Sequence, residues 1–264
     1  MPDKITVLLL GDVFGQPGCR ALFVGLKSLA KEYRADLVVV NGENAADGFG
    51  ITPEIADRLF ASGADVLTSG NHIWQKREIL PFLDSQERML RPGNYPPGVP
   101  GHGSCIVEVK GVKVGVLNLQ GRLRMGDLDC PFRIGADMVR KLREKTKVIL
   151  VDFHAEAPEE KEALACYLDG QVSSVTGTHT HVQTADERIY PKGTAYISDI
   201  GMTGPVDSVI GCDMEISLRR SATQMPLRME VSDTPAAIQG VKIEIDAASG
   251  KALSIERVVK HSLV

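Results

Sequence analysis

No two cysteines in this chain stand in Cys-x-x-Cys spacing. The five present, Cys19, Cys105, Cys130, Cys166 and Cys212, are scattered and odd in number. That pattern fits the reduced thiols of a cytoplasmic protein and argues against a thiolate zinc site. No apolar stretch approaches the ~20 residues that a membrane span needs, so no membrane partner is expected. The start, Met1-Pro2-Asp3-Lys4, leads directly into an apolar run with none of the regions of a secretory signal. A basic cluster is lacking too. Net charge is −4 and Lys and Arg are dispersed, which argues against a duplex nucleic-acid surface. Neither repeat, low-complexity tract nor linker interrupts the chain. One domain over residues 1–264 is expected, long enough to bury a large core without disulfide staples.

What the chain does have is alternation. Near-continuous apolar runs at Ile5–Leu10, Leu37–Val40, Val66–Thr68, Val112–Leu117, Val148–Val151, Val172–Val175 and Ala195–Ile197 read as strands covered on both faces. Between them, Arg20–Tyr33, Pro53–Ala61, Ala136–Lys145 and Glu159–Leu168 carry apolar residues at helical spacing. Strand–helix alternation of this kind predicts a layered α/β fold. Arg91–Gly103 and Gly121–Gly135 read as long ordered loops, which in compact domains often form functional rims. In the last third, Ile216–Leu218, Arg228–Val231, Val241–Ile245 and Ile255–Val259 read as antiparallel strands. A turn at Asp246–Gly250 makes the last pair a hairpin.

The chemistry-bearing residues gather at strand ends, where open α/β sheets place their ligands. Asp12 follows Leu8-Leu9-Leu10-Gly11, and Glu43-Asn44 follows Val38-Val39-Val40-Asn41-Gly42. Asn71-His72 follows Leu67-Thr68-Ser69-Gly70, and His154 follows Ile149-Leu150-Val151-Asp152-Phe153. His179 and His181 lie two apart, and in extended chain both imidazoles would share one face. Singly, an Asp or Asn after a strand is a turn former or cap, and a lone His is an ordinary hydrogen-bonded residue. Five strand ends delivering the same kind of side chain point instead to a two-metal hydrolytic site. Imidazole, carboxylate and amide oxygen without thiolate suit Fe, Mn or Zn. His102 and His261 fall outside the pattern and receive no role. The Gly11–Gly18 turn reads as a tight strand-to-helix connection in preference to a phosphate loop. Lys76, Arg77, Arg122 and Arg124 are rim charges of the kind that is generally solvated.

In this order, Gly11-Asp12-Val13-Phe14, Gly42-Glu43-Asn44, Gly70-Asn71-His72-Ile73, Phe153-His154 and Gly177-Thr178-His179-Thr180-His181 resemble the motifs of calcineurin-like metallophosphoesterases over residues 5–200. Three departures narrow the resemblance. Phe14 stands where that family has a metal-binding His, Glu43-Asn44 replaces the bridging Asp segment, and Ile73 replaces an acidic residue. With the segment 199–211, these departures resemble the YmdB-like bacterial branch, which is associated with hydrolysis of 2′,3′-cyclic nucleotides. That likeness extends over essentially the whole chain.

The resemblance implies a β-sandwich flanked by helices (αββα) with antiparallel C-terminal strands. It also implies two metal ions, iron foremost and manganese or zinc as alternatives, bridged by Glu43. One ion would be held by Asp12, Glu43, His181 and Asn44, the other by Glu43, Asn71, His154 and His179. His72 would be catalytic and face the leaving group. Phe14 takes a ligand from the first position, and Ile73 leaves His72 without its usual carboxylate orienter.

The expected activity is hydrolysis of a small nucleotide phosphodiester, 2′,3′-cyclic nucleotides first. It would proceed by in-line attack of a hydroxide held between the metals, with no covalent intermediate. One alternative is a phosphomonoesterase such as a nucleotidase. Another is a weakly active regulatory protein that senses a nucleotide or contacts RNA machinery, an idea Phe14 favours. A homo-oligomer stays open, as does closure of Met202–Gly211 over the site.

Overall fold

The computed structural model describes residues 3–262, so the Met1-Pro2 start lies outside it. The chain opens with β1 (Lys4–Leu10), the short β2 (Asp12–Val13), α1 (Gly15–Glu32), β3 (Leu37–Asn41), α2 (Pro53–Ser62), β4 (Val66–Thr68) and α3 (Ile79–Ser85). Then come β5 (Ser104–Val109), β6 (Val112–Gln120), α4 (Pro131–Arg143), β7 (Val148–His154), α5 (Pro158–Leu168) and β8 (Ser174–Thr178). The last elements are β9 (Arg188–Ile189), β10 (Ala195–Ile197), β11 (Met202–Pro205), α6 (Met214–Thr223), β12 (Ala236–Asp246) and β13 (Ala252–His261). Among the described residues no helix is long and apolar enough to cross a membrane.

Two sheets result. The first runs β2-β11-β12-β1-β3-β4, with β13 also paired to β12. Within it β1, β3 and β4 are parallel, whereas β12 and β13 are antiparallel additions. The second runs β5-β6-β7-β8-β10-β9, parallel from β6 to β10 with an antiparallel strand at each edge.

Side-chain alternation explains why the strands are apolar throughout. Ile5, Val7, Leu9 and Val39 of the first sheet pack against Val114, Val116, Val148 and Leu150 of the second. The intervening Leu8, Leu10, Val38 and Val40 face a second core with Leu22, Leu26 and Leu59 of α1 and α2. Leu117, Leu119, Val151 and Phe153 face Val139 and Leu164 of α4 and α5. Each sheet is therefore covered twice, as an αββα sandwich requires. The helix boundaries follow local chemistry. At α2, the Thr52 hydroxyl accepts from Ile55 N at 3.3 Å, Pro53 occupies the first turn, and Gly63 closes the helix at φ 115°.

Several sequence expectations are corrected. Ile216–Leu218 lies inside α6, not in a strand, because Asp213 caps a helical turn by accepting from Ile216 N at 2.9 Å. Of Arg228–Val231, only Val231 pairs, in an isolated bridge to Cys212. Strand β8 starts at Ser174, two residues beyond the expected Val172. Strand β5 and helix α3 went unpredicted. The hairpin about Asp246–Gly250 is present, joining β12 to β13.

Candidate metal centre

The carboxyl ends of β1, β3, β4, β7 and β8 deliver Asp12, Glu43, Asn71, His154 and His179 to one region. Glu43 sits at its middle, fully buried. Its Oε1 lies 3.1 Å from His154 Nε2. Asn71 Oδ1 and His179 Nδ1 each lie 3.0 Å from the same nitrogen. Donor atoms around a tetrahedral ion at ~2.0–2.1 Å stand roughly 3.3 Å apart, close to this spacing. Glu43, His154 and His179 together form a cluster that could hold a metal ion.

Asp12 and His181 lie beside it. His181 Nε2 is 3.4 Å from Asp12 Oδ2, which also accepts the His179 N–H at 2.9 Å. Asp12 Oδ1, in contrast, is buried with no hydrogen-bond partner. An unpaired buried carboxylate oxygen costs energy unless a cation meets it. The donor set therefore fits divalent metal ions.

Electrostatics agree. Burial opposes charge on His154, yet Glu43, Asp12 and Asp152 outweigh it and lift the imidazole to about 9. Burial likewise disfavours the Glu43 carboxylate, but His154 and His72 draw it down to about 2. Burial, opposed by His154 and reinforced by Glu43, pushes Asp12 well above the carboxylate range. The pocket thus strongly attracts positive charge. Burial and His154 hold His179 down to about 3, and burial lowers His181, so both rings are neutral as ligation requires.

A supporting layer fixes each ring. Thr178 Oγ1 lies 2.9 Å from His154 Nδ1 and donates to Asp152 Oδ1 at 2.7 Å. The Thr178 hydroxyl then accepts from His154 Nδ1–H, leaving Nε2 free for a ligand role. Asp152 also accepts from Thr68 Oγ1 at 2.5 Å and Asn41 Nδ2 at 3.1 Å. His181 Nδ1 lies 2.9 Å from the Ile210 carbonyl, and His179 Nε2 lies 3.3 Å from Glu156. Asp199, buried and ion-paired with buried Lys161 at 2.9 Å, accepts both Thr180 N–H and hydroxyl. These residues escaped sequence reading. Asp152 and Thr178 lie within the motifs, but a strand-end hydroxyl shows its role only once its neighbour is known.

The expected geometry of His179 and His181 is corrected. The segment is not extended, since both residues adopt positive φ, 102° and 63°. The rings accordingly diverge, His179 toward His154 and His181 toward Asp12. Gly70 is needed where it stands, because a Cβ there would lie 2.1 Å from His154 Cδ2 and 2.4 Å from Glu43 Oε2.

His72 lies 2.6 Å through Nδ1 from Asn44 Oδ1, and 3.5 Å from Glu43 Oε1. Asn44 takes the orienting position beside His72 that Ile73 cannot fill. Its amide nitrogen faces His181 Nε2 at 3.2 Å. Phe14 meets His181 edge-on at 5.2 Å between ring centroids and packs with Met202 and Cys212. The backbone of the 11–18 turn is satisfied internally, with Phe14 N donating to Thr203 O and Gly15 N to Asn44 O, both at 2.9 Å. It is the tight connection the sequence suggested. A cleft of about 540 Å³ opens over His72, lined among others by Phe14, Phe49, Ile210, Arg220 and Met229. Ile210 places the 202–211 segment at its edge. His102 stands apart from the cluster, paired through Leu90.

Comparison with known proteins follows this geometry. The profile of the YmdB-like protein family matches residues 8–258. The chain is 46% identical over 253 residues to a Bacillus subtilis protein named 2′,3′-cyclic-nucleotide 2′-phosphodiesterase, covering 96% of each. A crystal structure described as a novel phosphatase from Mycoplasma pneumoniae is 34% identical with a TM-score of 0.93, covering 99% of this chain and 95% of that one. A hypothetical protein from Thermus thermophilus is 40% identical with a TM-score of 0.92, covering 98% of this chain and all of the other.

Proposed function

The chain belongs to the YmdB-like protein family, and we propose that it is a dinuclear metal-dependent phosphodiesterase of small nucleotides, 2′,3′-cyclic nucleotides first. The observation that carries this reading is the convergence of Glu43, Asn71 and His179 on His154 Nε2, with Asp12 and His181 paired beside them. Asp12, Glu43, His181 and Asn44 would hold one ion; Glu43, Asn71, His154 and His179 would hold the second. Iron is the foremost candidate, with manganese or zinc as alternatives. Two such ions would neutralise a phosphoester anion and supply a nucleophilic water near neutral pH.

The chain's own residues do the rest. Asn44 orients His72 through Nδ1, leaving Nε2, which has no hydrogen-bond partner among the described residues, for the cleft that His72 lines. As imidazolium, His72 donates from Nε2 to the leaving oxygen. Burial holds the His72 imidazole below its ordinary value although Glu43 opposes it, so the proton donor is the minority charged form near neutral pH. The apolar walls of Phe14, Phe49 and Met229 suit a nucleoside and exclude water from the bond being broken. The relative's name and the free thiols support a cytoplasmic nucleotide substrate.

The test couples metal analysis to turnover. Fe-, Mn- and Zn-loaded protein is assayed on 2′,3′-cyclic AMP and on AMP. Two metals per chain with cyclic-nucleotide turnover, lost in Glu43→Ala, is the expected result. Selective turnover of AMP would move the assignment to a phosphomonoesterase, the reading that the Mycoplasma pneumoniae description favours. One or no bound metal, with no turnover under any loading, would favour a regulatory role.

A further inference from the structure

A second cleft opens from the same donor cluster, and the reading above leaves it unused. It measures about 490 Å³ and is lined by Asn71, His179, Tyr95, Gln120, Arg124 and Asp127. His179 borders both clefts; Asn71 borders only this one and His72 only the first. Much of its wall comes from the two long loops singled out in the sequence, Tyr95 from 91–103 and Arg124 and Asp127 from 121–135.

These walls are built and held. Asn94, fully buried, donates to the carbonyls of Gln120 at 2.8 Å and Asp129 at 2.9 Å, and accepts Gln120 N–H at 2.9 Å. Buried Glu160 accepts the Arg122 and Leu123 N–H groups, each at 3.1 Å. Tyr95 packs edge-on against Trp74 and donates to Gln120 Oε1 at 3.4 Å. Gln120 is 2% exposed, and its side-chain nitrogen makes no hydrogen bond among the described residues. Donors that line a cleft and lack a partner are available to a ligand.

We propose that this second cleft holds the retained substituent of an acyclic phosphodiester, a hydroxyl-bearing group such as a nucleoside. The protein then hydrolyses linear nucleotide diesters as well as cyclic ones. The inference rests on the phosphodiesterase reading. In an in-line displacement the leaving oxygen lies opposite the attacking water, and the retained ester oxygen lies to the side. His72 borders the first cleft, so the leaving alcohol departs into it. The retained substituent needs separate room beside the same phosphorus, and the cleft at Asn71 and His179 supplies it. A 2′,3′-cyclic phosphate carries both ester oxygens on one ribose and needs only the first cleft. Arg124, ion-paired with Glu159 at 3.7 Å, and Gln120 offer the donors that ribose hydroxyls or a further phosphate would take, and the Tyr95 hydroxyl oxygen offers an acceptor.

The step balances with water alone. A bond forms from the water oxygen to phosphorus as the bond to the leaving oxygen breaks. That oxygen takes the electron pair and a proton, and the attacking water releases a proton to solvent.

The test compares two esters on the metal-loaded protein. Thymidine 5′-(p-nitrophenyl phosphate) and methyl p-nitrophenyl phosphate share a leaving group and differ only in the retained one. The thymidine ester is expected to show about tenfold higher kcat/KM, carried by KM, with thymidine 5′-monophosphate as product. Arg124→Ala should shrink that advantage and Arg124→Glu should abolish it, whereas Arg124→Lys should restore part of it. Equal KM for the two esters, or an advantage that Arg124→Glu leaves intact, overturns the inference. Turnover of 2′,3′-cyclic AMP without the ester preference sinks this inference alone. Inactivity on all three substrates sinks the underlying reading and this inference with it.

Discussion

His181 Nε2 lies 3.4 Å from Asp12 Oδ2, although Asp12 stands on β2 of the first sheet and His181 follows β8 of the second. The candidate centre is therefore assembled across the sandwich, and neither sheet holds it alone. Packing of the two sheets through their shared apolar core and ligation at their edges are physically coupled. Substitutions at the centre should consequently change stability as well as metal content.

Asp12→Asn removes a buried charge whose Oδ1 has no partner, while an amide oxygen can still accept the His179 N–H. Metal-free Asp12→Asn should melt about 2–4 °C above wild type. Metal analysis should show one ion per chain fewer than in wild type, for which two are proposed. A lower melting temperature would mean that the carboxylate is stabilising without metal.

His72→Ala should lower turnover by about 10²–10⁴ and leave metal content unchanged, because His72 packs on Asn44 and Phe49 outside the main donor group. Steady-state kinetics beside metal analysis check both halves. Unaltered kcat would remove its role toward the leaving group.

Gly70→Ala puts a methyl group into the space of His154 and Glu43. The side chains are displaced where they would ligate, so metal affinity should fall steeply while circular dichroism stays native. Isothermal titration with Mn²⁺ or Zn²⁺ measures it, and wild-type affinity would contradict the geometry.

Thr178→Val deletes the hydroxyl that joins His154 Nδ1 to Asp152. Loss of such a partner lowers metal affinity by about 10–100-fold. Thr178→Ser retains the oxygen and should recover most of it.

The cysteines should differ in reactivity. Burial lifts Cys19 and Cys105 to about 12, while the Arg133 N–H lowers Cys130. At pH 8, iodoacetamide should label Cys130 well before either of them, as mass spectrometry would show. A raised folded-state value means that the native protein keeps a proton which the unfolded chain loses near pH 9. Stability from these two thiols is present below pH 9 and lost as pH rises toward 12. Denaturation midpoints that stay flat from pH 8 to 10.5 in wild type relative to Cys19→Ala would contradict this for Cys19.

Legibility from sequence varied with how local the cause was. β4 and β10 are found where their apolar runs predicted, because burial on both faces leaves a continuous signal. β5 mixes Ser104 and Glu108 into a half-buried edge strand and so showed no such run. α6 was misread because Ile216 and Leu218 suggest a strand unless the Asp213 cap is weighed. The candidate residues were legible as a set. The orientation of His179 and His181 is not legible from their two-residue spacing, since positive φ at both residues separates the rings.

The sequence by itself determined the donor chemistry and its strand-end placement. It also determined the two-faced apolar strands that oblige a covered sheet, since these follow from residue type and short-range periodicity. Only the tertiary structure decided which donors meet. It brought Asp12 to His181, put Thr178 beneath His154 and Asn44 beside His72, and set a second cleft against the first. Those relationships join residues on separate elements, distant along the chain and in the first case on facing sheets. They arise from how strands align and how two twisted sheets pack, which no local run of residues encodes.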